Sequence, residues 1–311
     1  METTTKTAST AENTIDPATR IGHVHLRVAD LDRQAAFYRD VVGLRLHRRE
    51  GNAIGLGAGG EDLLRLSLLR GGRRVRGTTG LYHFAILLPD RRALARAIGR
   101  LFALRIANYP TDHVITKTTY LSDPEGNGIE IYAESPEDGV AAIVDGEYVA
   151  RRANGAPSDG REALDVQALL AELAPDERFD EPVPEPTRIG HVHLHVADLD
   201  EARRFYCDVL GFGDQGLGRP MRMGMVSAGG YHHHIGYNTW AGAGAPAPPS
   251  DALGLQYFSV ELPDRAELAR VVERVQRSGL FAQQSKDGFL VRDPCQNGVL
   301  LSVKGYHDDG S

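Results

Sequence analysis

Two stretches of this 311-residue chain are near copies: Ile21–Leu44 (IGHVHLRVADLDRQAAFYRDVVGL) and Ile189–Phe212 (IGHVHLHVADLDEARRFYCDVLGF) agree at 16 of 24 positions. A second pair recurs further along each half, GLYHFAILLPDRRALARAIGRL from Gly80 and GLQYFSVELPDRAELARVVERV from Gly254. A chain that repeats a segment at wide spacing folds as repeated units, and here each half holds two. Every unit opens with a short alternating strand, followed by an aspartate cap and an amphipathic helix. Two or three short strands broken by Gly-rich turns complete it. The caps are Asp30 or Asp32, Asp90, Asp198 or Asp200, and Asp264. The pattern predicts an α+β fold of four βαβββ modules, each too small to bury its sheet without a partner module.

The repeat also divides the chain. Residues 20–135 form a first domain of modules one and two, and residues 187–305 a second of modules three and four. Residues 1–19, rich in Thr, Ser and Ala, read as a disordered tail. Residues 136–186, ending in the acidic, Pro-rich PDERFDEPVPEPT, read as a linker with a short helix over Leu164–Leu173. A formal charge of -7 leaves no basic excess for nucleic acid or an anionic membrane. The absence of a long apolar run and of a signal-peptide pattern predicts a cytoplasmic protein. Two cysteines, Cys207 and Cys295, are too few for a disulfide framework or a thiolate zinc cage, which turns attention to the twelve histidines.

Aligned in register, the four modules are unequal. The opening strands carry His23, His83, His191 and, in module four, Tyr257. The strand after the Asn-Gly turn carries Glu130 in module two and Leu300 in module four. Two imidazoles and one carboxylate on one face, with the opposite face open, make the donor set of a non-haem Fe(II) centre. Two sets are available: His23 with His83 and Glu130, or His191 with His83 and Glu130. Glu130 lies between Ile129 and Ile131, where an uncompensated carboxylate would be costly, so a metal or another cation should face it. Further polar groups suit proton transfer: Asp112-His113, Tyr120 and the run Tyr231-His232-His233-His234. If that run is a strand, His232 and His234 share one face and His233 takes the other.

The segments GHVHLHVADLDEARRFYCDVLGF, GLYHFAILLPD, YLSDPEGNGIEIY and GGYHHHIGYNTW resemble the vicinal oxygen chelate superfamily of glyoxalases, bleomycin-resistance proteins and extradiol dioxygenases. Within it the chain looks most like the catechol 2,3-dioxygenase-like members. The resemblance implies two glyoxalase-like domains with open, partly barrel-like mixed sheets. It implies His191, His83 and Glu130 as ligands of Fe(II), with Mn(II) accepted by the same donors. His233 then matches the family's acid-base histidine, and Tyr120 and His113 its further catalytic groups. The familiar members use modules three and four, whereas Tyr257 and Leu300 move the site here onto modules two and three and leave His23 as the alternative ligand.

The implied reaction is ring opening of a catechol by O2 in a homo-oligomeric enzyme. Two other readings follow from the same superfamily. One is a glyoxalase-like lyase or isomerase, whose sites commonly add a further carboxylate ligand; the other is a metal-free binding protein of the bleomycin-resistance type.

Overall fold

The computed structural model describes residues 13–306. Helices start where the sequence marks them: Asp30, Asp90, Asp198 and Asp264 have extended backbone and accept the N–H three residues on, which satisfies an orphan donor of each first turn. Module one comprises β1 (Arg20–Val28), α1 (Leu31–Phe37), β2 (Arg45–Glu50), β3 (Ala53–Gly57) and β4 (Asp62–Leu68). Module two comprises β5 (Gly80–Leu87), α2 (Arg91–Ala103), β6 (Tyr109–Asp112), β7 (Thr116–Ser122) and β8 (Gly128–Glu134). The connecting segment is not bare linker. It holds β9 (Gly139–Val144), β10 (Glu147–Arg152), β11 (Pro157–Ser158), β12 (Glu162–Ala163) and α3 (Val166–Leu170). Module three has β13 (Arg188–His195), α4 (Leu199–Arg203), β14 (Gly213–Gly218), β15 (Met223–Ser227) and β16 (Ile235–Asn238). Module four has β17 (Gly254–Leu262), α5 (Arg265–Arg277), β18 (Gln283–Ser285), β19 (Gly288–Arg292) and β20 (Gly298–Val303).

Modules pair across the halves rather than within them. One sheet runs β18-β19-β20-β17-β1-β4-β3-β2 and so joins modules four and one. The other runs β12-β6-β7-β8-β5-β13-β16-β15-β14 and joins modules two and three. In both, the opening strands meet antiparallel at the centre and each lies parallel to the closing strand of its own module. Both sheets are open and mixed, as the α+β expectation requires. Alternation fixes which face is the core: Val192 and Leu194 of β13 and Phe84 and Ile86 of β5 are fully buried in one contiguous cluster with the helices. The intervening His191, His193 and His83, Ala85 therefore face the other side.

A matching pair of buried turns ties the modules of each half together. The Asp123 carboxylate accepts the Tyr38 hydroxyl at 2.9 Å, the N–H groups of Glu125 and Asn127, and the Asn127 amide. Asp293 does the same for Tyr206, Cys295 and Asn297. The repeated Asp-Pro-x-x-Asn-Gly is thus a hub between the helix of one module and the last turn of the next. The connecting segment is pinned as firmly: buried Lys117 pairs with Asp112 at 2.6 Å and Asp138 at 2.8 Å, and Arg152 pairs with Asp112 and Glu162.

The expected tail also departs from the reading. Ile15 and Thr19 are buried, and the Ile15 N–H donates to the Gly211 carbonyl; residues 1–12 lie outside the described residues. No helix among the described residues is long and apolar enough to cross a membrane. Replacing Asp123 by Ala leaves the Tyr38 hydroxyl and two backbone N–H groups without their acceptor, so stability should fall by about 3 kcal/mol. Urea denaturation checks this as a lower midpoint at an unchanged slope.

Candidate metal centre

The register of three strands builds the site. On β5, Ala85 stands opposite His191 of β13 on one side and Glu130 of β8 on the other. His83 lies two residues before Ala85 and shares its face. Three polar side chains therefore surround one fully buried methyl group, which leaves their tips free to converge. His83 Nε2 and His191 Nε2 are 3.4 Å apart, and Glu130 Oε2 lies 3.2 Å from the first and 3.1 Å from the second. Three cis positions of an octahedron with bonds of about 2.1 Å stand about 3.0 Å apart, so the spacing and the two-imidazole, one-carboxylate chemistry fit a divalent transition metal. All three residues are buried, with exposures of 3–5 %. Burial pushes the Glu130 carboxyl up, but the charge and hydrogen bonds of His191 and His83 more than offset it, and the group sits well below its usual range.

A chain of hydroxyls orients His191. Its Nδ1 lies 3.4 Å from the Tyr132 hydroxyl, which bonds the Tyr231 hydroxyl at 2.6 Å, and Tyr231 donates to Glu134. With each group donating toward the carboxylate, His191 carries its proton on Nδ1 and turns the Nε2 lone pair to the site. Gly190 is required for this: a Cβ there would collide with the Tyr132 hydroxyl. On the other flank His113 Nδ1 bonds the Gly160 carbonyl, which leaves Nε2 to accept the Tyr120 hydroxyl at 2.8 Å. Tyr120 is the cross-strand neighbour of Glu130, and burial followed by the Glu130 charge raises its hydroxyl well above the ordinary value. It remains a neutral donor.

The triad opens onto a cavity of about 380 Å³. His232 and His233 both line it, and the His233 ring packs 4.2 Å from that of His191. The expectation that His232 and His234 share a face does not hold, because the three histidines precede β16 in a bend where alternation does not apply. His234 instead turns inward, its Nδ1 accepting the Ala228 N–H. Burial, then His191 and His232, lowers His233 well below 6.5, so its imidazole is neutral at neutral pH. His191, His232 and His233 also lie close enough to share an ion. That set has no carboxylate, and His191 Nε2 is already aimed at Glu130.

His23 lies in the other sheet, where Tyr257, Ser259 and Leu300 take the places of His83, Ala85 and Glu130. Its Nδ1 bonds Ser259, and it belongs to no cluster of candidate ligands among the described residues. The sequence reading missed several residues of the site. His193 and Tyr132 lie two positions from His191 and Glu130 on the same strand faces and could have been found by alternation. Trp240 and the apolar wall of Met221, Met223 and Met225 carry no sequence signal of their own. Nor do Ala141, Ala142, Tyr148, Gly160 and Arg161, by which the connecting segment closes the cavity.

Comparison with known proteins agrees with this architecture. A family model described as the Glyoxalase/Bleomycin resistance protein/Dioxygenase superfamily matches residues 20–131 and 188–299. A protein of Bacillus subtilis (strain 168) called catechol-2,3-dioxygenase is 42% identical over 289 residues, 92% of this chain and 97% of that protein. Among solved structures, one from Bacillus subtilis superposes with a TM-score of 0.62 at 13% identity, covering 94% of this chain and 86% of the other. Glyoxalase I of Zea mays superposes with a TM-score of 0.54 at 16% identity, covering 91% and 92%. These similarities, spanning both halves, place the chain in the Glyoxalase/Bleomycin resistance protein/Dioxygenase superfamily.

Proposed function

We propose that this protein is an extradiol dioxygenase that opens a catechol ring with O2 at Fe(II) held by His83, His191 and Glu130. The observation that carries the reading is the triangle of donors 3.1–3.4 Å apart at the floor of a cavity large enough for one aromatic ring. The relative called catechol-2,3-dioxygenase supports it. When bound, ferrous iron would hold the catechol oxygens and O2 on its open side and supply the electron that makes O2 reactive.

The chain's own residues supply the rest. Neutral His233, packed on His191, accepts a proton from a catechol hydroxyl as the substrate seats. The Tyr120 hydroxyl, whose single hydrogen meets His113 Nε2 before substrate binds, turns it to negative charge that develops on a substrate oxygen beside Glu130. The Tyr132–Tyr231–Glu134 chain keeps His191 in one orientation throughout. Met221, Met223, Met225 and Trp240 give the ring an apolar wall and exclude water. Among the described residues Glu130 is the only carboxylate in the cavity lining, and none there supplies the fourth, acidic ligand expected of a lyase in this superfamily.

Two outcomes are expected. After anaerobic loading with Fe(II), wild type and His23→Ala should hold about one iron per chain by metal analysis, whereas Glu130→Gln and His191→Ala should hold little and lose catechol-dependent O2 uptake. Retention of iron by His191→Ala with loss in His23→Ala would move the centre. In His233→Ala iron should remain while kcat falls by roughly 10²–10⁴, the usual worth of a positioned proton acceptor; an unchanged rate in a stopped-flow assay of the coloured product would remove that role.

A further inference from the structure

Resting on the dioxygenase reading, we propose that the preferred substrates are catechols bearing an anionic substituent, a ring carboxylate or a short carboxylate arm, and that Arg161 binds that group. The cavity lining holds two formally charged side chains, Glu130 and Arg161. Glu130 is committed to the imidazoles and the metal they would share. Among the described residues Arg161 is the only permanent cation of the lining, and no carboxylate lies within ion-pair distance of its guanidinium. Nearby acids are engaged elsewhere: Glu162 pairs with Arg152 and accepts the Ser158 hydroxyl, and Asp159 accepts the backbone N–H of residue 161.

The position of Arg161 is set independently of its side chain. Strand β12 pairs with β6 beside it, and the Gly160 carbonyl is fastened to His113, which reaches Glu130 through Tyr120. The guanidinium acts on the cavity: burial raises the hydroxyls of Tyr82 and Tyr148, and the Arg161 charge opposes this in both. Apart from this residue, the wall that would meet a substrate ring is apolar or neutral. A ring held by its two oxygens at the triad would thus present its far substituents to Met221, Met223 and Trp240 or to Arg161, and a carboxylate there can form the paired hydrogen bonds that a planar guanidinium offers.

The test compares kcat/KM of the iron-loaded enzyme for 3,4-dihydroxybenzoate and 3,4-dihydroxyphenylacetate with that for 3,4-dihydroxybenzamide and 4-methylcatechol. Wild type should favour the anions about tenfold at low salt, mainly through KM, and the ratio should shrink as salt is added. Arg161→Gln should bring the ratio near one, and Arg161→Lys should restore part of it. Absence of the preference in wild type, or its persistence in Arg161→Gln, would overturn the assignment while leaving the dioxygenase reading standing. Failure of wild type to turn over any of the four, or catechol itself, would overturn both.

Discussion

The functional face depends on the register of β5 between its two neighbours. Ala85 must stand opposite both His191 and Glu130, because a one-residue slip of either neighbour would send its ligand to the opposite face of the sheet. That register is held from the far side by Phe84, Ile86, Val192 and Leu194, all fully buried. The cost of burying Glu130 is therefore borne by the apolar packing of residues that never touch the site. A carboxylate at 3 % exposure is tolerable only with compensating positive charge or hydrogen bonds, and the same strands bring both imidazoles to it.

The second sheet keeps the same fold with a different set of side chains on the equivalent face. Ser259 replaces Ala85 and fills the central space with a hydroxyl bonded to His23 Nδ1. Where β16 has Gly236 beside His193, β4 has Arg65 beside His25. The Arg65 guanidinium bonds Asp62 at 3.2 Å and Asp287 at 2.8 Å, so a fixed cation with its own anions occupies the concave face. Burial and the charge of Arg65 lower His23 well below the ordinary imidazole value and bring His25 down to about 4, the Asp287 carboxylate opposing the His25 shift only in part. With Arg65 where the other sheet has Gly236, and Leu300 where it has Glu130, this face holds a salt-bridge network in place of the two-imidazole, one-carboxylate cluster.

Much of this was legible in the sequence because it rests on local rules. The four modules, their aspartate caps and the inequality of His83 and Glu130 with Tyr257 and Leu300 follow from repeat and period. Assignment of the triad to modules two and three needed the register comparison and the family resemblance together. The parts that escaped depend on tertiary context. Nothing local says that His232-His233-His234 bends rather than extends, which is why both His232 and His233 reach the cavity. Ile15 carries no periodic pattern around it, so its docking beside Gly211 could not be read. The connecting segment was obscured by composition: its acidic, Pro-rich end resembles a spacer, while its strands are short and tied to module two by Lys117–Asp138 and Asp112–Arg152 ion pairs.

Connectivity explains why the face that gathers His83, His191 and Glu130 is the covered one. Modules two and three are the adjacent modules that share a sheet, and their central strands β5 and β13 are joined by the chain from β8 through residues 135–187. That chain starts on one flank of β5 and must return to the other, so a long connection can pass over the concave face. It does so as β9–β12, reaching Ile143 to Gly216 near the far edge strand β14 and laying Ala142, Tyr148 and Arg161 over the triad. Modules one and four are not consecutive, so among the described residues no single connecting segment runs between their central strands, and the equivalent face carries the Arg65 network. The order of the modules thus decides which sheet is covered by a connecting segment, and a loop wall of this kind can differ in side chains without disturbing the strands that hold His83, His191 and Glu130.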